Sequence, residues 1–229
     1  MDRFKSMQEL ENVTVENEDW EIETNDKDSH ISILAIHGGG IEPATTELAQ
    51  VIADKGNYNY FSFKGLRSKG NNELHVTSTN YDDPEAIKIV EKSERAIALH
   101  GCKGEDSVAY LGGNDHELIE ILSDTLSDVG IKVQEAPNTM AGKQDENIIN
   151  LTKNNAGVQI ELTSSLRKEL FVNNKSSRKS REDRDNWGDL MYDFADATIR
   201  ALQQVKPLAY TYFKIVKIWV LDCIDKINV

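Results

Sequence analysis

The chain has 229 residues, 39% of them apolar, and carries 39 acidic against 26 basic side chains for a formal net charge of −13. That length supports a sizeable hydrophobic core, while the acidic balance argues against a nucleic-acid binder, whose phosphate contacts need clustered Lys and Arg. Cys102 and Cys223 form neither a CxxC spacing nor a disulfide framework, and no uninterrupted apolar run reaches the ~18 residues of a membrane helix.

Residues 1–30 hold ten acidic side chains against three basic ones, so more than half of the net charge falls there, and the segment reads as a solvated acidic arm. Ile31 to Ile36 reads as a buried strand, cut off by His37-Gly38-Gly39-Gly40. Pro43 opens a helix to about Lys55 with Ala44, Leu48, Val51 and Ile52 on one face. Strands are predicted at Tyr58–Phe63 and His75–Thr79, a helix from Asp83-Pro84 to Ser93, a strand at Ala96–Leu99 ending at His100, and another at Val108–Leu111. Asn114 or Asp115 caps a helix running to Val129, which Gly130 stops before a strand at Ile131–Gln134. Val158–Leu162 is a further strand, residues 173–186 a polar and basic surface loop, and Trp187 to Val205 a helix ending near Pro207. This alternation predicts an α/β fold with helices on both faces of a mixed, mostly parallel sheet. Three segments result: the arm (1–30), the α/β domain (31–206) and an apolar tail (207–229). Charges break up the tail, so it reads as a surface packed on this chain or a partner, not as a span.

His37 and His100 each end a predicted buried strand and precede a glycine. Loops leaving that edge of an α/β sheet converge, and ligands bind there. Glu42 follows His37 across Gly38-Gly39-Gly40-Ile41, a spacer loose enough for the chain to fold back. Two imidazoles and a carboxylate with water in the fourth position make a catalytic zinc set. A histidine can also simply cap a strand. The HGGG string is that of an esterase oxyanion loop, but no Gly-x-Ser-x-Gly elbow follows, and a phosphate cradle lacks its Walker lysine.

The strings HGGGIEPATTELA (37–49), LHVTSTNYDDP (74–84), ALHGCKGED (98–106), YLGGNDHELIEIL (110–122) and GVQIELTSSLR (157–167) resemble the poly-γ-glutamate hydrolases of Bacillus phages and prophages. The resemblance covers roughly residues 20–205. It departs at Cys102, where the family pattern has an aromatic residue, and at Leu151, where it has an arginine. It implies a zinc-dependent amidohydrolase with a carboxypeptidase-like three-layer α/β/α fold, with His37, Glu42 and His100 as ligands and Glu161 as general base. The implied partner is the poly-γ-glutamate polymer, whose carboxylates call for cations near the cleft. Arg167, Lys103 and Arg67 are the candidates, with His75 as a hydrogen-bonding neighbour of the metal. Cys102 is a rival ligand of lower rank.

Two other functions stay open at this point: an N-acyl amino acid deacylase of the aspartoacylase or N-formylglutamate type, and a non-catalytic polymer-binding module. The start, MDRFKSMQEL, shows no signal-peptide pattern. The expectation is synthesis in the cytoplasm as a monomer, with the phage resemblance implying release by lysis onto capsule polymer outside the cell.

Overall fold

The computed structural model describes residues 2–205. Seven strands among them form one sheet: β1 (Trp20–Asn25), β2 (Ile31–Gly39), β3 (Asn59–Gly65), β4 (Arg95–Gly101), β5 (Ala109–Gly113), β6 (Val133–Glu135) and β7 (Val158–Leu162). Their order is β1-β3-β2-β4-β7-β5-β6. The central run β3-β2-β4-β7 is parallel, β1 and β5 pair antiparallel with β3 and β7, and β6 is parallel to β5. The helices are α1 (Met7–Glu11), α2 (Thr45–Gly56), α3 (Pro84–Glu91), α4 (His116–Asp128), α5 (Ser164–Glu169), α6 (Arg178–Arg181) and α7 (Asp189–Gln204).

Alternation along the strands builds two cores. Ile33, Ala35, Ile97, Leu99, Val158 and Ile160 face α2, α4 and α7, while Leu34, Ile36, Phe61, Phe63, Ala96 and Ala98 face α1, α3 and the turn at Ile148–Asn150. The fold is thus the expected α/β sandwich with a mixed sheet. Local signals set the helix bounds. The Asp115 side chain accepts from the Leu118 N–H at the start of α4, Asp83 does the same for Ala86 at α3, and Gly130 at φ +84° follows the end of α4.

Three expectations need correction. Residues 2–25 are not a solvated arm: Phe4, Met7, Leu10 and Trp20 are buried in the second core, and Trp20 to Asn25 pairs with β3 along its length. The apolar side chains are sparse, but Phe4, Met7, Leu10 and Trp20 are spaced to face inward, while Val13 and Val15 stay exposed. His75–Thr79 is not a strand, because its peptide groups bond elsewhere: the Val76 carbonyl to His37, the Thr77 N–H to Asp2 and the Thr77 carbonyl to Asn80. Within the 173–186 loop, α6 forms, and Arg181 is buried there. The 207–229 tail lies outside the described residues.

Candidate metal centre

His37, at the end of β2, and His100, at the end of β4, stand on neighbouring parallel strands. The glycine run between His37 and Glu42 makes a tight return, closed by the Glu42 N–H donating to the His37 carbonyl at 2.8 Å. Gly38 has no room for a side chain, since a Cβ would lie 2.1 Å from Thr46 Oγ1, and Gly39 sits at φ +61°. This return brings the Glu42 carboxylate to both rings, with Oε1 3.5 Å from His37 Nδ1 and Oε2 3.6 Å from His100 Nδ1. The two Nδ1 atoms are 3.2 Å apart. The three residues offer ligand atoms within 4.8 Å of one another.

Two of the three members are held from behind, while the buried Nε2 of His100 meets no hydrogen-bond partner among the described residues. His37 donates Nε2–H to the Val76 carbonyl at 2.8 Å, which frees Nδ1 as a lone pair. Glu42 Oε2 accepts from the Gly101 N–H at 2.8 Å. Burial pushes the Glu42 carboxyl up, but His37, His100 and the Gly101 N–H outweigh it and hold the pKa at about 2. Burial works against a charged His37, yet the Glu42 carboxylate raises its pKa above the ordinary value. His100 is kept neutral by burial, with a pKa of about 3. Two imidazole nitrogens and a carboxylate that converge within 4.8 Å of one another fit a divalent cation.

Glu161 lies on β7 directly opposite His100 in register, so both side chains leave the sheet on the same side. It is buried, and desolvation together with the charge of Glu42 pushes its pKa up to about 7. Gln159, two residues earlier on the same face, donates Nε2–H to Glu161 Oε1 at 2.9 Å and is itself held by the Asn147 side-chain amide at 3.1 Å. The sequence reading passed over Gln159 and Asn147. The signal that could have found Gln159 is its period-two spacing from Glu161.

The expected cationic residues take different places. Arg167 is the centre of a knot: Nε donates to Leu162 O, Nη1 to Pro43 O and Nη2 to Cys102 O, at 3.0–3.2 Å. Those carbonyls belong to residues one or two positions after Glu161, Glu42 and His100, so one guanidinium ties the three loops of the site together. Arg67 is bound to Asp19 at 2.6 Å and reaches Glu73, which turns it toward the β1 side and leaves its charge compensated. Lys103 is exposed beside the His100 loop. His75 stacks on His37 with ring centroids 3.9 Å apart, its Nε2 4.0 Å from Glu42 Oε1. The Cys102 thiol is half-buried, its pKa raised by that burial, and it is not part of the converging set.

Residues 4–197 match the poly-gamma-glutamate hydrolase family. The chain is 34% identical to the UPF0714 protein YndL of Bacillus subtilis strain 168 over 204 residues, covering 88% of this chain and 78% of YndL. It is 34% identical to the SPbeta prophage-derived UPF0714 protein YoqZ of the same strain over 175 residues, 74% of this chain and 62% of YoqZ, and so spans less than two thirds of that relative. Among solved structures it superposes on a bacteriophage poly-gamma-glutamate hydrolase with a TM-score of 0.85 at 30% identity, over 89% of this chain and 98% of that one. It also superposes on the zinc-free apo form of YndL with a TM-score of 0.83 at 33% identity and the same coverage. The motifs, the sheet order and the converging His-Glu-His set thus belong together, and the chain is a member of the poly-gamma-glutamate hydrolase family of hydrolytic enzymes.

Proposed function

We propose that the chain cleaves γ-glutamyl amide bonds of poly-γ-glutamate with a zinc ion held by His37, Glu42 and His100. The observation that carries this reading is the convergence of those three donors at the carboxyl ends of β2 and β4. Zinc in such a set supplies a Lewis acid that lowers the pKa of water toward about 7 and polarises an amide carbonyl. Glu161 takes the proton of the attacking water and returns it to the leaving nitrogen. A carboxyl with a pKa of about 7 is matched to both transfers near neutral pH. Gln159 fixes Oε1, leaving Oε2 to carry the proton. Arg167 keeps the loops bearing Glu42, His100 and Glu161 in mutual register, and Lys103 offers the rim a free-swinging cation for a substrate carboxylate. The setting that goes with this chemistry is capsule degradation after release by lysis.

The test is Glu161→Gln in zinc-loaded protein. Turnover of the polymer, followed by viscosity and by newly freed amines, should fall by about 10²–10⁴-fold while zinc content stays at the wild-type level. Wild-type turnover in that variant would remove Glu161 from the reaction. Loss of zinc from the variant would make it a ligand.

A further inference from the structure

Residues 75–77 run in an extended conformation, with His75 at φ −73°, ψ 131° and Thr77 at φ −57°, ψ 144°. Their polar groups alternate. The Val76 carbonyl turns inward to His37, while His75 Nδ1–H and the Thr77 N–H turn outward and converge on a single carboxylate, that of Asp2. His75 Nδ1 meets Asp2 Oδ1 at 2.9 Å and the Thr77 N–H meets Oδ2 at 2.8 Å. Each oxygen has its own donor, and the cradle sits one imidazole away from the metal ligands, since His75 stacks on His37. It is open to solvent, with both side chains about 30% exposed (32% for His75, 29% for Asp2).

We propose that His75 and the Thr77 N–H form a carboxylate subsite beside the metal centre, and that Asp2 occupies it as an internal competitor until a substrate carboxylate displaces it. The proposal rests on the reading of the site as a poly-γ-glutamate hydrolase centre, because that polymer carries a carboxylate within a few bonds of every backbone amide. Three further observations favour competition over a catalytic role for Asp2. Asp2 precedes residues 4–197, the part shared with the family. The chain is anchored just beyond it by buried Phe4 and Met7, so Asp2 can leave the cradle without unpacking the second core. Asp2 also brings a negative charge to a site that already holds Glu42 and Glu161, a position better suited to a displaceable group than to a fixed one.

A ligand that must displace an internal competitor binds more weakly by the fraction of time the site is free. In the zinc-loaded protein, Asp2→Ala should therefore lower KM for poly-γ-glutamate by about five-fold at unchanged kcat, with Asp2→Asn in between. Glutarate, a small dicarboxylate, gives a readout independent of turnover: calorimetric titration should show it binding about five-fold tighter to Asp2→Ala, and the gain should vanish when His75→Phe is added. Unchanged KM and unchanged glutarate affinity in Asp2→Ala would overturn the proposal. So would a fall in kcat at constant KM, which would make Asp2 a positioning residue for His75. Tighter glutarate binding in a protein that cleaves no polymer would support the subsite and refute the hydrolase reading, so the two failures are separable.

Discussion

Replacing Arg167 with Met keeps the aliphatic stem and deletes the guanidinium that joins Leu162 O, Pro43 O and Cys102 O. A hydrogen bond from a charged donor contributes about 1–2 kcal/mol net, because the freed carbonyls recover water in a half-buried setting. Three such bonds amount to about 3–6 kcal/mol. The guanidinium is itself partly desolvated, as its lowered pKa indicates, so its removal returns about 1–2 kcal/mol. The metal-free variant should lose about 2–4 kcal/mol, which in a chain of this size is about 4–16 °C in Tm. The larger effect falls on the centre. Pro43 adjoins Glu42 and Cys102 lies two residues after His100, so loosening both loops should weaken zinc binding by about 10-fold or more, as loss of an outer partner does elsewhere. Urea or thermal unfolding of the metal-free protein and a zinc titration against a competing chelator measure the two quantities. Unchanged stability and zinc affinity, with only KM for the polymer raised, would refute the reasoning and make Arg167 the carboxylate clamp that its sequence position suggests.

Metal-free Glu161→Gln should differ from the wild type in a pH-dependent way. A carboxyl raised from 4.5 to about 7 in the folded state stabilises the fold below pH 4.5 and withdraws that stability as pH rises through about 7, so the variant should gain about 3 kcal/mol on the wild type across that window. Urea unfolding at intervals from pH 4.5 to 8 measures it, and parallel curves would sink the claim. Taking the difference between the two proteins removes the opposing contributions of Glu42 and His100. In Gln159→Leu, Glu161 loses a donor that favours its ionised form, so the acidic limb of the kcat/KM profile should move to higher pH; an unmoved limb would show that the amide serves packing alone. Zinc should raise Tm in proportion to the logarithm of its concentration, and His100→Ala should abolish that dependence.

The converging His-Glu-His set was legible because most of its parts are local. An apolar run ending in His37, the glycines after it and a carboxylate five positions on sit within a dozen residues, and His100 repeats the strand-end position. Glu161 was legible as a charge ending a buried strand. What the sequence hid is pairing across distance. β1 reads as charge, since Glu21, Glu23 and Asp26 mask the inward spacing of Trp20 and Ile22. Arg67 looks available until the antiparallel pairing of β1 with β3 brings Asp19 to it. Arg167 has the right position for a substrate contact, but its three carbonyl acceptors come from residues as far apart as Pro43 and Leu162, and only the strand order brings them to one point.

The sheet order has another consequence, at its two ends. An open edge of unpaired N–H and C=O groups is a template for another chain, and among the described residues both edge strands are blunt. On one side stands β1, whose Glu21 and Glu23 share Lys64 of β3 at 2.6 and 2.7 Å, so that any strand arriving there meets a row of carboxylates. On the other stands β6, only three residues long. Part of the acidic excess thus stands on the edge strand β1, and neutralising Glu21 and Glu23 together should favour edge-to-edge pairing of copies, read as a concentration-dependent rise in mass.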